Sequence, residues 1–555
     1  TGLSSSPAPS GTAGSGTFSV VSKGPMTGLA VATQANGFLG AYLKFCGYDA
    51  LILQGAADKL VYVHVGDDGV QIRDAAHLSD KDTWDVDDAI REELGVKQLS
   101  VFGIGPAGEH LVRWAAIAGD KGHVAGHNGV GAVMGSKKVK AIAIERGRKR
   151  VSVVDRDRML EAAAKLFEIA KTERGGQLYN WGTAGGLSNA ARGGWLPVRN
   201  YTTNIFPEHE NINGQYIRTK FKIKPNPCWA CQMHHCHIVE ITEGPYKGFV
   251  GEEPEYEQMA AFGSVIGQTE AGAAVYLSNI NDRLGMDCNE AGWVIGFAME
   301  AYEKGILTKK DFDGLEMTWG NAAAADALLR KIAHREGIGD VLAEGVMRAA
   351  QKIGGEAVKM AVGTVKGATP RGHDHRTRRN ELLDTCVGNT STIESTGGTA
   401  QPEQLGLPPI KDQFSWDEIS TQNALLNGRR QFEDTLGTCR FTVPDLQLMI
   451  DALNAATGWD LDKAEALQVG RRIVNQFRVF NFRHGLTTDV EMPSPRYGSV
   501  PVDGPAKGLD PSAALPQAKE NFFRLMGWDE KTGKPLPETL RSLGLEALIP
   551  ELQAK

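Results

Sequence analysis

Cysteine is scarce in this chain, at seven of 555 residues. So few thiols over such a length exclude the disulfide framework of small secreted proteins and indicate a reducing compartment. In that setting, clustered thiols are usually metal ligands or catalytic groups. Excess charge of one sign is also lacking, with 60 Lys and Arg against 67 Asp and Glu. The net charge of −7 does not suggest a nucleic-acid-binding surface.

Long apolar runs are absent too, since none approaches the roughly 18 residues that cross a bilayer. No charged-then-apolar signal segment opens the sequence, so we expect a soluble, cytoplasmic protein. Hydrophobic residues at 41% and charged residues at 23% exclude a disordered or fibrous chain. At about 100–200 residues per domain, the length predicts several domains.

Glycine, in contrast, is abundant: 66 residues, or about 12%, against roughly 7% on average. It punctuates a β-rich N-terminal part, with strands expected at 18–21, 50–54, 60–65 and 141–145 and one helix at 83–94. After residue 150 the apolar spacing becomes helical, at 158–172, 255–266, 270–284, 291–304, 323–336, 340–353, 445–455 and 462–478. We therefore predict an α+β fold, with a β-rich domain at 1–150 and two mostly α-helical domains at 151–360 and 361–555.

One short pattern occurs twice in the helical part. Asp282-Arg-Leu-Gly285-Met-Asp287 and Asp434-Thr-Leu-Gly437-Thr-Cys439 share D-x-L-G-x-[D/C], and each follows a helical segment. Glycine permits the positive φ of a helix end, which leaves flanking groups free to hold a ligand. The repeat predicts sites for two similar polar ligands, and the alternative is two unrelated helix ends.

The segment Cys228-Trp-Ala-Cys231-Gln-Met-His-His-Cys236 carries three thiols within nine residues. This spacing favours a metal ion or an iron–sulfur cluster. A zinc site would be completed by His234 or His235, and a 4Fe–4S cluster by a distant thiol such as Cys439. The spacing predicts metal binding without selecting the metal, and unligated thiols are a third reading.

Two polar segments carry candidate acid–base groups. Gly251-Glu-Glu-Pro-Glu255-Tyr-Glu257 leads into a helix. Its acids either complement the helix dipole or include one that is withdrawn from water for proton transfer. Thr369-Pro-Arg-Gly-His373-Asp-His375-Arg376 is either a solvated loop or a proton donor beside an oxyanion.

Two glycine-rich segments in the β-rich domain permit close approach of backbone to a ligand. They are Gln34-Ala-Asn36-Gly37-Phe-Leu-Gly40 and Gly126-His127-Asn128-Gly129-Val-Gly131-Ala-Val-Met-Gly135. Ordinary turns are the alternative for each. Neither is a Walker A loop, and no convincing βαβ unit surrounds the second, so we do not expect nicotinamide binding.

Together, these blocks resemble the tungsten-containing aldehyde:ferredoxin oxidoreductase family along essentially the whole chain. The likeness extends to Val20-Val-Ser-Lys-Gly-Pro-Met-Thr-Gly28, Leu43-Lys-Phe-Cys-Gly-Tyr-Asp-Ala50 and Gly131-Ala-Val-Met-Gly-Ser-Lys-Lys-Val-Lys-Ala-Ile142. The resemblance implies a base domain with two pyranopterins holding one tungsten, or less often molybdenum. It also implies a 4Fe–4S cluster beside one pterin and a magnesium ion that links the pterin phosphates.

The resemblance implies roles residue by residue. Asp282, Gly285 and Asp287 would bind one pterin, and Asp434 and Gly437 the other. Cys439 would join Cys228, Cys231 and Cys236 on the cluster. The phosphates or magnesium would contact Asn36, Gly37, Gly129 and Gly131, together with His127 and Asn128.

Three departures from the family pattern stand out. His127-Asn128-Gly129 replaces Arg-Gly-Gly, the gap before Cys236 is one residue longer, and the opening strand is lacking. His127 would be a weaker phosphate contact than arginine. We expect a missing upstream segment that supplies the first strand.

The implied activity converts an aldehyde and water to a carboxylic acid, two electrons and protons. Glu257, with Glu255 second, is the predicted group for activating water or moving the proton, and His373 or His375 the predicted donor to the carbonyl oxygen. Electrons would leave to ferredoxin or to iron–sulfur or flavin partner subunits. A low-potential reductase of aromatic acyl-CoA and a non-catalytic zinc or iron–sulfur protein are the alternatives.

Overall fold

The computed structural model describes residues 2–5, 15–390, 393–395 and 402–552. A β-rich N-terminal part precedes a mostly helical part, as the α+β prediction expected. The strands are β1 (Gly2–Ser5), β2 (Phe18–Lys23), β3 (Ala30–Ala35), β4 (Ala50–Ile52), β5 (Val61–Gly66), β6 (Gly69–Asp74), β7 (Leu99–Gly103), β8 (Ile117–Gly119), β9 (His123–Ala125), β10 (Val139–Glu145), β11 (Lys222–Pro225), β12 (His237–Glu240) and β13 (Val250–Glu252).

The helices follow the same chain order, and those of the N-terminal part are short. They are α1 (Leu39–Phe45), α2 (Thr83–Leu94), α3 (Pro106–Glu109), α4 (Val130–Ser136), α5 (Arg156–Trp181), α6 (Leu187–Arg192), α7 (Gly214–Lys220), α8 (Tyr256–Ala261), α9 (Ala271–Leu284), α10 (Cys288–Glu303), α11 (Ala322–Ala333), α12 (Ile338–Leu342), α13 (Val346–Ile353), α14 (Arg379–Val387), α15 (Trp416–Leu426), α16 (Arg429–Thr435), α17 (Leu446–Thr457), α18 (Lys463–Arg483), α19 (Leu515–Leu525) and α20 (Pro537–Ser542). No helix within the described ranges is long and apolar enough to span a membrane.

The described strands form three sheets. The first has the order β3-β2-β1-β4 with antiparallel neighbours. The second has the order β6-β5-β10-β7-β8-β9, in which β5 and β10 run parallel. The third, β11-β12-β13, lies within the part that the sequence predicts as helical.

The predicted helix at 83–94 is confirmed as α2, because the Asp82 carboxylate accepts hydrogen bonds from the backbone of Trp84 and Asp85 at 2.9 Å each. The expectation that it is the only helix in the β-rich part is wrong. Helices α1, α3 and α4 have four to seven residues, too few to show a 3.6-residue period. The helix expected at 340–353 is two helices, because Gly345 adopts a φ of 90° between them.

The largest apolar core combines residues from all three predicted domains. It includes Trp114 of the β-rich part, Trp293 and Phe297 of α10, Leu382 of α14 and Trp528 near the C-terminus. A separate core, which includes Phe18, lies among the N-terminal strands. The β-rich part and the helices are therefore joined by buried apolar contacts.

Hydrogen bonds also join β3 directly to the last third of the chain. The Ala30 amide donates to Asn481 Oδ1 at 2.8 Å, and Gln34 Nε2 donates to the carbonyl oxygen of Asp434 at 3.1 Å. The second D-x-L-G motif is thereby held against the N-terminal sheet.

Helices α16 and α18 meet at a glycine contact that leaves no room for a side chain. A Cβ at Gly470 would lie 1.6 Å from the carbonyl oxygen of Gly428. We expect Gly470→Ala to lower the free energy of unfolding by about 3 kcal/mol, since overpacking forces backbone apart. Gly272→Ala, in α9, is the matched control because its nearest neighbour would lie 3.4 Å away. Chemical denaturation measures both variants, and equal midpoints would contradict the prediction.

Candidate active site

A cavity of about 500 Å³ lies between the N-terminal sheet and the helices. Its wall includes β3, the 122–127 turn, and the ends of α8, α9 and α16. Nine of the residues singled out in the sequence line it: Asn36, His127, Cys236, Glu255, Glu257, Asp282, Asp287, Asp434 and Cys439. Residues distant in sequence are therefore brought to one space.

The other candidate residues do not line this cavity: Gly37, Asn128, Gly129, Gly131, Cys228, Cys231, Gly285, His373, His375 and Gly437. Asn128 instead borders a small adjoining cavity together with His127 and Asp287. Its Oδ1 accepts a hydrogen bond from the Thr27 amide at 3.0 Å. Asn128 thus links the glycine-rich turn to the segment before β3.

The two D-x-L-G motifs do lie at helix ends, as predicted. Gly285 follows α9 with a φ of 77°, and Gly437 follows α16 with a φ of 60°. Asp282 accepts hydrogen bonds from Gln258 Nε2 at 2.6 Å and Asn281 Nδ2 at 3.2 Å, and burial raises its pKa to about 7. Burial likewise raises the pKa of Asp434 to about 6. Each motif therefore presents a carboxyl group that is only weakly acidic.

Asp287 forms an ion pair with His127 across the cavity wall. Its Oδ2 lies 3.2 Å from His127 Nδ1, and its carboxylate also accepts the Asn289 amide at the start of α10. Burial alone would raise the pKa of Asp287, but the neighbouring His127 holds it below its usual range. Burial would lower the pKa of His127, and Asp287 raises it instead. The pair favours the protonated form of His127, at the position where the family pattern has arginine.

The acids of the 252–257 segment differ sharply in their surroundings. Glu253 forms a buried ion pair with Arg218 at 2.6 Å, which makes it a structural group. Glu255 is the N-cap of α8, and its Oε1 lies 3.1 Å from His235 Nε2, beside the cysteines. Glu257 faces the cavity 3.9 Å from Arg371 Nη1, and burial raises its pKa.

Both candidate histidines lie behind the cavity wall, around Glu381. His373 Nδ1 is 2.8 Å and His375 Nε2 is 3.0 Å from Glu381 Oε2. Burial lowers the pKa of His373 to about 3, so this imidazole is neutral at ordinary pH. His375 Nδ1 is 2.6 Å from the hydroxyl oxygen of Tyr497. The reading of this segment as a solvated loop is wrong, because His373 and His375 are 6% and 0% exposed.

Arg371, which we did not select from the sequence, reaches the cavity from the same segment. Its guanidinium donates two hydrogen bonds of 3.0 Å to Glu381 and lines the cavity on its other side. A bidentate pair of this kind fixes the guanidinium plane. The Pro-Arg-Gly sequence was visible, but only the fold reveals which side chain of the segment faces the cavity.

The cysteine segment curls back on itself at the edge of the cavity. All seven cysteines of the chain lie in the described ranges, and all are free thiols. Cys228 Sγ, Cys236 Sγ and a nitrogen of His123 lie within 4.8 Å of one another. Burial raises the pKa of Cys439, and the nearby Cys231 and Cys228 raise it further. Cys228 and Cys236 are therefore neighbours, and Cys231 and Cys228 lie near enough to Cys439 to act on its charge.

The longer gap before Cys236 is accommodated in the backbone. Ala230 and His234 adopt positive φ values of 53° and 48°. Left-handed residues of this kind turn the chain sharply and are uncommon outside glycine. Ala230 turns the chain between Cys228 and Cys231, and His234 lies within the longer gap, where its turn lets Cys236 end close to Cys228.

Arg430 is a second cavity residue that sequence reasoning missed. It is 3% exposed, and its Nη1 has no hydrogen-bond partner among the described residues. Gln431 Oε1 and Asn289 Oδ1, also of the cavity wall, are buried without a partner in the same set. Because a buried cation needs an acceptor and a buried amide oxygen needs a donor, these groups indicate a polar ligand that carries both negative charge and hydrogen-bond donors. Arg430 stands four positions before Asp434, and residues four apart lie on the same face of a helix. The sequence could therefore have indicated that Arg430 faces the same ligand as Asp434.

Comparison with known proteins is consistent with this geometry. The family model described as aldehyde ferredoxin oxidoreductase, N-terminal domain, matches residues 3–146, and the one for domains 2 and 3 matches residues 160–545. The tungsten-containing aldehyde ferredoxin oxidoreductase of Pyrococcus furiosus is 34% identical over 98% of this chain and 89% of its own length. Its counterpart in Thermococcus kodakarensis is 35% identical over 99% and 89%.

More distant relatives differ in their named substrates. An aliphatic sulfonate oxidoreductase, WOR-like subunit, of Pyrococcus furiosus is 32% identical over 95% of this chain and 85% of its own length. The solved active site complex BamBC of benzoyl coenzyme A reductase, in complex with 1,5 dienoyl-CoA, shares the fold with a TM-score of 0.84 at 23% identity. That match covers 99% of this chain and 89% of the solved one. On the family models and the two tungsten enzymes, the chain belongs to the aldehyde ferredoxin oxidoreductase family.

Proposed function

We propose that this protein oxidises aldehydes with water to carboxylic acids at a tungsten or molybdenum bis-pyranopterin. The electrons leave through a 4Fe–4S cluster to ferredoxin or to partner subunits. The observation that carries the proposal is the cavity shared by Glu257, Arg371, the motif aspartates and two of the candidate cluster cysteines, Cys236 and Cys439.

The residues present fit both cofactors. Arg430 Nη1 and the buried amide oxygens of Gln431 and Asn289, which lack partners among the described residues, suit a polar ligand with an anionic group and hydrogen-bond donors. Asp282, Asp287 and Gly285 would hold one pterin, and Asp434 and Gly437 the other. Phosphate or magnesium would contact Asn36, Gly37, His127, Asn128, Gly129 and Gly131. Cys228, Cys231, Cys236 and Cys439 supply the thiolates that a 4Fe–4S cluster requires.

When bound, the metal–pterin centre supplies two-electron chemistry and the cluster supplies one-electron transfer. Side chains of the protein transfer the proton and stabilise the charge that develops on the substrate. Glu257, with its raised pKa, takes a proton from water as the acid forms. Arg371 stabilises negative charge on the substrate oxygen, a role that the sequence assigned to His373 or His375. The two histidines contact Glu381, which in turn holds the Arg371 guanidinium in place. Glu255 contacts His235 and fixes its position beside the cysteines.

We expect Arg430→Met to lose most of its bound pterin, because the substitution keeps the apolar stem and removes the charge that faces the cavity. Pterin and phosphate released on denaturation, per mole of purified chain, measure the effect. Arg472→Met, at an exposed position of α18, is the control and should retain both. Full pterin content in Arg430→Met would contradict the cofactor assignment.

Reduction of aromatic acyl-CoA is the second candidate, favoured by the likeness of fold to benzoyl coenzyme A reductase. Metal analysis with pterin extraction, followed by viologen-linked assays on aldehydes, a sulfonate and benzoyl-CoA, separates the two. We expect tungsten or molybdenum with pterin, and turnover on aldehydes. Turnover on benzoyl-CoA alone would replace the aldehyde proposal, and zinc without pterin would overturn both.

A further inference from the structure

Another group of metal-ligating side chains lies at the surface, where the β-rich part meets the helices. It consists of Asp80, His110 and His334, whose ligand atoms all lie within 4.8 Å of one another. Asp80 precedes α2 and His110 follows α3 in the β-rich part, and His334 follows α11 in the helical part. None of the three lines the active-site cavity.

The distances suit one small ion. Asp80 Oδ1 lies 3.2 Å from His334 Nε2 and 3.7 Å from His110 Nε2. Tetrahedral ligands at metal bonds of about 2.0–2.1 Å stand about 3.4 Å apart, between these two values. The ligand atoms are therefore already near the spacing that an ion would impose.

The tautomer of His334 strengthens this interpretation. His334 Nδ1 lies 2.9 Å from the carbonyl oxygen of Arg330, which only accepts hydrogen bonds, so Nδ1 carries a proton. Nε2 is then the ring nitrogen that faces Asp80, and it is the atom through which the imidazole would bind a cation placed between the two groups. Metal-ligating histidines are typically fixed in this way by a carbonyl acceptor at the other ring nitrogen.

The backbone around the group is held by contacts that do not need an ion. The Asp80 amide donates to Glu109 Oε1 at 3.0 Å, which anchors the loop next to His110. Across the boundary, Arg335 Nε donates to the carbonyl oxygen of His110 at 2.8 Å. The residues next to each histidine are thus joined, and binding requires little ordering of the chain.

We infer that Asp80, His110 and His334 bind one divalent transition-metal ion of the zinc type, with water completing its coordination. Two imidazoles and one carboxylate are ligands that such ions favour. The ion cross-links the β-rich part to the helices that cover the cavity. It stabilises this junction and takes no part in the oxidation chemistry.

Zinc binding to the purified full-length protein tests the site, with a chromophoric chelator as competitor. Wild type should bind one Zn²⁺ that Asp80→Asn, His110→Ala and His334→Ala each bind at least about tenfold more weakly. His484→Ala is the matched control, because His484 also follows a helix and lies 2.8 Å from a carbonyl oxygen but belongs to no such group within the described chain. It should bind Zn²⁺ as wild type does.

Thermal unfolding gives an independent measurement on the same variants. Zn²⁺ should raise the midpoint of wild type and His484→Ala and leave that of His334→Ala unchanged. Wild type that takes up no such ion, or equal binding by wild type and Asp80→Asn, would overturn the site. An equal zinc-induced shift in His334→Ala would do the same.

Discussion

Glu257→Gln is expected to reduce kcat for aldehyde oxidation by at least about 100-fold while tungsten or molybdenum, pterin and iron remain bound. The amide keeps the shape of the side chain and its place in the cavity but cannot accept the proton released as the acid forms. Glu257 lies 3.9 Å from Arg371, so its carboxylate is held next to the group that we propose stabilises substrate charge. A viologen-linked assay with metal and pterin analysis measures the effect.

The pH dependence distinguishes a proton acceptor from a merely structural acid. Burial raises the pKa of Glu257, and the carboxylate is the active form. Wild-type activity should therefore fall as the pH decreases through this raised pKa, and Glu257→Gln should lack that limb. Glu240→Gln, at the surface end of β12, should keep both rate and profile. A Glu257→Gln enzyme with full metal content and wild-type turnover would disprove the assignment.

Cys439→Ser is the second large effect that we expect, because it removes the thiol that reaches the other three from a distant part of the chain. The variant should lose cluster iron and sulfide, the visible absorbance of the protein and electron transfer to viologen. Iron and acid-labile sulfide per chain, with low-temperature EPR of the reduced protein, measure the loss.

Cys46→Ser provides the control, since Cys46 is also buried but its Sγ donates to the carbonyl oxygen of Glu145 at the end of β10. It should retain iron, colour and turnover. Wild-type iron content in Cys439→Ser would exclude Cys439 as a ligand. A colourless wild type that contains zinc would favour the three-cysteine zinc alternative.

Local patterns predicted the elements whose periodicity is long and amphipathic, such as α2 with its Asp82 cap. They missed the sheet β11-β12-β13, because the residues of β11 are exposed and show no alternating burial. Parallel pairing of β5 with β10 was equally hidden, since it joins strands far apart in sequence.

The candidate site residues were predictable for the same reason, where the signal was local. Motif spacing selected Asp282, Asp434 and the cysteines, because each stands at a characteristic spacing within a short segment. Arg371 and Arg430 were missed because only the fold shows which arginine side chains face the cavity and which groups lie opposite them. The histidines were noticed for their residue type, but the fold turns them inward to Glu381.

The hydrogen bond from Gln34 to Asp434 has a consequence for how the enzyme is made. The two residues are 400 positions apart, and Phe477 completes the same wall. At roughly 5–20 residues per second, a ribosome needs about 20–80 s to pass from the first to the second. The cavity cannot close around a cofactor before most of the chain has emerged. A cofactor held in this cavity would therefore become fully enclosed only late in synthesis, whichever part of the chain it contacts first.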